Sequence, residues 1–148
     1  MNDIAELDKT RQRIKGFEDA LTAMPNAIIG PNAHDLDHVF TPGLYIRTIR
    51  MPKNMVIVGL IHRHQHWNIL QSGTVTVFSQ DGLETLTGPC PMVSSAGIKR
   101  CVYMHTDAVW TTVHHNPDNL RDLDELEKLI IAPEYEQLPL NADERITL

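Results

Sequence analysis

Apolar positions in residues 3 to 24 recur at helical spacing. Ile4, Leu7, Ile14, Phe17, Leu21 and Met24 stand three, four or seven apart among charges, which predicts an amphipathic helix capped by Asp3 and ended by Pro25. The next stretch, PNAIIGPNAHDLDHVFTPG, is rich in proline, glycine and asparagine and reads as a long loop. From Leu44 the texture changes to short β-branched segments: LYIRTIRM, MVIVGLIH, WNILQ, TVTVFS, LETLTG, PMVS, KRCVYM and AVWTTVH. The breaks between them carry turn residues, as in Pro52-Lys53-Asn54, Ser72-Gly73 and Gln80-Asp81-Gly82. Strands this short and evenly spaced predict a sandwich or barrel. Helical spacing returns in NPDNLRDLDELEKLIIAPEYE, where Leu120, Leu123, Leu126 and Ile130 form one stripe before Pro133.

This pattern predicts one mainly β domain organised as an N-terminal helix and loop (1–39), a β-barrel (40–116) and a C-terminal helix and tail (117–148), with both helices packed outside the barrel. At 148 residues and 42% hydrophobic content, such a chain buries roughly 70% of its unfolded surface. The net charge of −6 and the absence of a basic stripe argue against binding a nucleic-acid backbone. No apolar run reaches membrane-spanning length and the first residues lack a hydrophobic signal core, so the expected location is cytoplasmic. Cys90 and Cys101 are too few for a disulfide framework and read as free thiols.

The candidate chemistry lies in His62-Arg63-His64-Gln65-His66-Trp67-Asn68. On a strand, His62, His64, His66 and Asn68 share one face. Neutral imidazole is the commonest protein metal ligand, and residues two apart sit about 7 Å apart at the backbone, close enough to share an ion. His62 and His66 are about 13 Å apart on a straight strand, so all three ligate one metal only if the chain turns.

The segment GLIHRHQHWNILQSG, followed by GPCPMVSSAGIKR, resembles the two motifs of the cupin superfamily, and the cadence of the whole is most similar to small cupin-like proteins of tailed phages. The resemblance spans about residues 40 to 116. It implies a double-stranded β-helix (jelly-roll) barrel and, for a phage protein, the host cytoplasm. His62 and His64 match the paired histidines of the first motif, while Asn68 stands where a glutamate is expected. In the second motif Gly97 is kept and Arg100 replaces the ligand histidine. The resemblance implies a divalent transition metal (Fe, Mn, Zn or Ni) held by His62, His64 or His66, and His114. His114 replaces the missing histidine if Lys99–Met104 and Val109–His114 form a hairpin with an odd-length connection; an even one turns it outward.

Cations at Lys99 and Arg100 oppose a second cation but attract an anion, which suggests a small ligand bearing carboxylate or phosphate. Only one of the two can face the interior, since they alternate. The ligand-contacting candidates are Arg100, Lys99, Asn68, Trp110 and Thr112, although Trp67 and Trp110 read first as core or interface residues. His34, His38, His105 and His115 read as surface or outward-facing. Three functions follow: a metal-binding cupin acting on or holding an anionic molecule; a metal-free protein sequestering an acidic sugar or nucleotide-like ligand; and a phage assembly or virion-associated block. Small cupin barrels commonly pair and each helix here has one apolar face, so a homodimer is expected in which the terminal helices or the sheet face cover apolar surface.

Overall fold

The computed structural model describes residues 4–25, 27, 34–135 and 138. Among the described residues the first helix, α1 (Ile4–Thr22), is followed by eleven strands and one further helix. The strands are β1 (Asp35–Thr41), β2 (Leu44–Met51), β3 (Val56–Val58), β4 (Ile61–His62), β5 (His66–Ser72), β6 (Thr74–Ser79), β7 (Gly82–Thr87), β8 (Cys90–Ser94), β9 (Cys101–Met104), β10 (Ala108–His115) and β11 (Ile131–Ala132), the last preceded by α2 (Leu123–Ile130). All strand pairings are antiparallel, in a five-stranded sheet ordered β1-β2-β10-β5-β8, a four-stranded sheet ordered β3-β9-β6-β7, and the small pair β11-β4. Two sheets with these crossovers make a jelly roll. Asp3, residues 26 and 28–33 of the expected loop, and residues 136, 137 and 139–148 of the expected C-terminal tail lie outside the described residues.

Each sheet turns its apolar alternation inward. Met51, Leu70 and Trp110 from the first sheet meet Ile57, Val75, Val77, Val102 and Met104 from the second, and Leu70, Val75 and Met104 are wholly buried. Full burial of a side chain of this size contributes about 1.5–3 kcal/mol. Gly73 links β5 to β6 where the chain changes sheets; its φ of 94° is left-handed, and a Cβ there would stand 2.4 Å from the Asp107 carbonyl oxygen. At the other end of the barrel, α2 and β11 close over Tyr45 through Leu126, Ile130 and Ile131, with Phe40 and Leu120 at the edge. Asp122 caps α2 by accepting from the backbone N–H groups of Asp124 and Glu125.

Two expectations are corrected. The residues read as the end of a long loop form β1, because Leu36, His38 and Phe40 alternate in phase and pair opposite Ile49, Arg47 and Tyr45. The expected hairpin between the Lys99–Met104 and Val109–His114 segments does not form. β9 pairs with β3 and β6 while β10 pairs with β2 and β5, so the connection crosses between sheets. Cys90 and Cys101 are free and half-buried. Among the described residues no helix is long and apolar enough to cross a membrane.

Candidate functional site

The inner face of the five-stranded sheet changes character along its strands. Near the apolar core it carries Ile49, Trp110, Leu70 and Cys90; one row further along come His38, Arg47, Thr112, Asn68 and Met92; beyond these stand Phe40, Tyr45, His114, His66 and Ser94. The polar chemistry is thus gathered at the end closed by α2.

Three imidazoles meet there. The ring centroids of His62 and His66 are 4.5 Å apart, those of His66 and His114 5.1 Å, and those of His62 and His114 5.6 Å with planes 7° from parallel. His62 and His66 converge because the chain turns between them. The turn is held against the end of α2: the Arg63 backbone N–H donates to the Ile130 carbonyl at 2.8 Å, Arg63 Nε to the Ile131 carbonyl at 2.9 Å, and His64 Nε2 to the Leu129 carbonyl at 3.2 Å. Ile131 pairs with His62 in the same corner. His64, expected beside His62, is therefore on the outside with its ring engaged by α2, and His66 takes the inner place. His114 arrives on β10, next to Tyr45 of β2, without the hairpin that had been expected to carry it.

Hydrogen bonds fix which nitrogens are free. A carbonyl only accepts, so His66 Nδ1 donates its proton to the His64 carbonyl at 3.1 Å, and its Nε2 keeps a lone pair. That Nε2 is buried and has no hydrogen-bond partner. The Thr112 hydroxyl donates to the Arg47 carbonyl at 3.4 Å, so it accepts from His114 Nε2 at 3.1 Å, leaving the lone pair of His114 on Nδ1. A backbone or hydroxyl oxygen holding one ring nitrogen while the other stays free is the arrangement that orients metal-ligating histidines.

All three imidazoles are held neutral. Burial is the largest cause and pushes His62 well below its ordinary value, lowers His66 and brings His114 down to about 3, with Arg47 acting in the same direction on each. Arg100 lowers His62 and His66 further. Arg47 was not among the residues singled out from the sequence. Its signal was present in LYIRTIRM, where it shares the inward phase of Tyr45, Ile49 and Met51.

The donor set suits a soft-to-borderline divalent ion, since neutral imidazole nitrogens bind at about 2.0–2.1 Å and tetrahedral angles then hold ring centroids about 5 Å apart. As the side chains stand, no three His, Cys, Asp or Glu among the described residues form a set ready to hold a metal ion.

The remaining candidates divide. Asn68, wholly buried, accepts from Trp110 Nε1 at 2.9 Å and donates to Ser94 Oγ at 2.6 Å. Arg100 also donates to Ser94 Oγ and lies over the Trp110 ring at 5.5 Å. Among the described residues it makes no ion pair, and burial lowers its pKa. Lys99, expected near the ligand, is instead buried under α1 with its ammonium on Glu18. His38 bonds the Tyr45 hydroxyl at 2.7 Å, and Tyr45 stacks on His114 at 5.8 Å. His105 bonds Thr76 at 2.6 Å, far from the cluster in the other sheet, and His115 is exposed at the end of β10. His34 is half-buried, with its pKa lowered by burial and by Arg47.

No family model matches the sequence, and no curated protein does. Solved structures do. Salicylate 1,2-dioxygenase from Pseudaminobacter salicylatoxidans is similar at a TM-score of 0.53 and 12% identity, over 87% of this chain and 37% of the enzyme; its gentisate adduct gives 0.54 at 11% identity over 90% and 37%. A Photorhabdus luminescens protein gives 0.51 at 12% identity over 72% of this chain and 92% of its own. An RmlC-like cupin family protein with a double-stranded β-helix fold from Methanocaldococcus jannaschii gives 0.47 at 13%, over 64% and 88%. The fold is the cupin jelly roll with flanking helices.

Proposed function

We propose that the α2 end of the barrel is a three-histidine metal centre that holds a small anionic molecule. His62, His66 and His114 supply the ligands for a divalent transition ion such as Fe, Mn, Zn or Ni, and Arg47 and Arg100 supply the attraction for a carboxylate or phosphate. The observation that carries this reading is the buried, partnerless Nε2 of His66 within 5.1 Å centroid spacing of two further neutral imidazoles. An orphaned buried acceptor costs about 1–3 kcal/mol, and a bound ion would remove that cost. When bound, the metal supplies Lewis acidity. The chain's own part is to keep the three rings unprotonated, to orient two of them through His64 and Thr112, and to bring an anion against Arg47, which among the described residues has no carboxylate partner. The gentisate adduct of the dioxygenase suggests an aromatic carboxylate as a first probe.

Untagged protein from rich medium should carry close to one transition metal per chain by elemental mass spectrometry. His62→Ala, His66→Ala and His114→Ala should each lose most of it, because two neutral ligands seldom hold a divalent ion tightly. His64→Ala should keep it. In titrations with gentisate, Arg47→Ala and Arg100→Ala should each weaken binding roughly 10- to 150-fold, the effect of losing one charge-assisted hydrogen bond. Wild-type protein without metal, or His64→Ala losing as much as His66→Ala, would overturn the metal centre. Gentisate or phosphate binding that survives metal removal would favour the second reading, in which the imidazoles are hydrogen-bonding groups of a metal-free pocket for an acidic sugar or nucleotide-like ligand. Asn68 and Arg100 at the two altered motif positions speak for that alternative.

A further inference from the structure

A groove of about 730 Å³ lies outside the barrel and is lined by residues of both α1 and α2. Small-molecule sites commonly measure about 300–1,000 Å³. Its apolar lining comes from the β4–β11 pair and the residue before it: Ile61 and Ile131 are buried, while Leu60 keeps 40% of its surface exposed. The groove is separate from the histidine cluster, because the chain segments between the two turn successive residues to opposite sides. Ile61 and Lys99 line the groove; the residues that follow them, His62 and Arg100, reach the imidazoles and Ser94 inside the barrel.

The charges of the lining do not balance. Among the described residues, Glu18, Asp19, Asp124, Glu127 and Glu134 bring carboxylates, and Lys15, Lys99 and Lys128 bring ammonium groups. Each ammonium is already engaged. Lys15 holds Glu134 at 3.1 Å, Lys99 holds Glu18, and Lys128 holds Glu125, which stands outside the lining, at 3.3 Å. Asp19, Asp124 and Glu127 make no ion pair among the described residues. An anion therefore finds no free cation here, and a neutral apolar ligand would dry three carboxylates without compensation.

We propose that this groove binds an aliphatic oligoamine, a ligand in which short methylene runs separate several ammonium groups. The methylenes lie on Leu60, Ile61 and Ile131, and the ammonium groups meet Asp19 of α1 and Asp124 and Glu127 of α2. The match needs both halves of the ligand. A compact divalent ion would answer the charge but leave Leu60 in water, whereas an alkyl ammonium covers apolar surface with its stem and presents its charge at the end, as lysine side chains do on protein surfaces. The groove is also built in advance of any ligand. The Lys99–Glu18 pair, whose side chains are 10% and 33% exposed, fastens α1 to the barrel, and the Lys15–Glu134 pair ties α1 to the segment that follows β11. The net charge of −6 adds a long-range attraction for such cations.

Calorimetric titration of the full chain with spermidine tests this, at an ionic strength of about 0.1 M, where charges more than about 10 Å away are screened. Binding should saturate at one spermidine per chain and be roughly 4- to 25-fold tighter than that of butylamine, which has one ammonium group. Asp19→Asn, Asp124→Asn and Glu127→Gln, all at exposed positions that leave the fold intact, should each weaken spermidine roughly 2- to 5-fold and together about 10-fold or more. Glu6→Gln, Asp8→Asn and Asp118→Asn remove the same charge from exposed positions outside the lining, and this triple variant should stay within about 2-fold of wild type. Magnesium chloride should displace spermidine no better than sodium chloride of the same ionic strength. Absence of saturable binding, or spermidine no tighter than butylamine, overturns the inference. So does a control triple variant that loses as much as the groove triple variant, or displacement by magnesium beyond the salt effect, since either reduces the binding to general attraction by a negatively charged chain.

Discussion

Metal-stripped protein should lose several kcal/mol of folding free energy between pH 7 and pH 4, and His114 should account for a large part of it. In the unfolded chain His114 titrates near the ordinary value of 6.5; in the folded chain burial beside His66 and Arg47 brings it to about 3. The folded state thus binds fewer protons than the unfolded state throughout that interval, so stability rises with pH across it and is complete above 6.5. At pH 4 the cost of keeping His114 neutral is about 3 kcal/mol, taking 1.36 kcal/mol per unit. His62 and His66 shift in the same direction and add to the slope. Urea melts at pH 7 and pH 4 measure the difference. His114→Gln should flatten the dependence by most of that amount, whereas His115→Gln, exposed at the next position, should not. Parallel pH dependences for wild type and His114→Gln would show that His114 is not buried neutral.

The sequence carried the strands well because their alternation is strong. All eight β-branched segments appear as strands, with MVIVGLIH divided into β3 and β4. What it could not carry was which strands meet. Whether β9 and β10 pair depends on contacts with β3, β6, β2 and β5, dozens of residues away, and no local pattern encodes them. The histidine row shows the same limit. Period-two spacing places His62, His64 and His66 on one face only while the chain stays extended; the corner held by the Leu129, Ile130 and Ile131 carbonyls breaks the phase, sends His64 out and brings His62 to His66. β1 was hidden by its surroundings. DLDHVFT alternates, but it follows a run of glycine, proline and asparagine and only three of its residues are apolar. The inward phase of Arg47 in an otherwise apolar face was legible from β2 alone, because a cation among core positions needs a partner or a task.

Asn68 separates a structural from a ligand-contacting role at the position where the resembled motif has a glutamate. Its side chain is wholly buried, its Oδ1 accepts from Trp110 Nε1 and its Nδ2 donates to Ser94 Oγ, which Arg100 also contacts. One amide thus ties β5 to β8 and β10 and fixes the Trp110 ring over which the Arg100 guanidinium lies. Asn68→Leu keeps the volume but strands the indole N–H, now buried without an acceptor, and removes a donor from Ser94. The stranded group costs about 1–3 kcal/mol and the second lost bond about 0.5–1.5 kcal/mol, so chemical denaturation should show a loss of roughly 2–4 kcal/mol. Asn68→Asp keeps an acceptor for Trp110, and the Ser94 hydroxyl can turn to donate to the new carboxylate. The buried charge has Arg100 nearby to offset it, so at pH 7 this variant should lose less than Asn68→Leu. Near-ultraviolet circular dichroism should follow the same order, since Trp110 loses its fixed orientation only in the leucine variant. Asn68→Leu within 1 kcal/mol of wild type, or Asn68→Asp as unstable as Asn68→Leu, would show that this amide does not hold the network together.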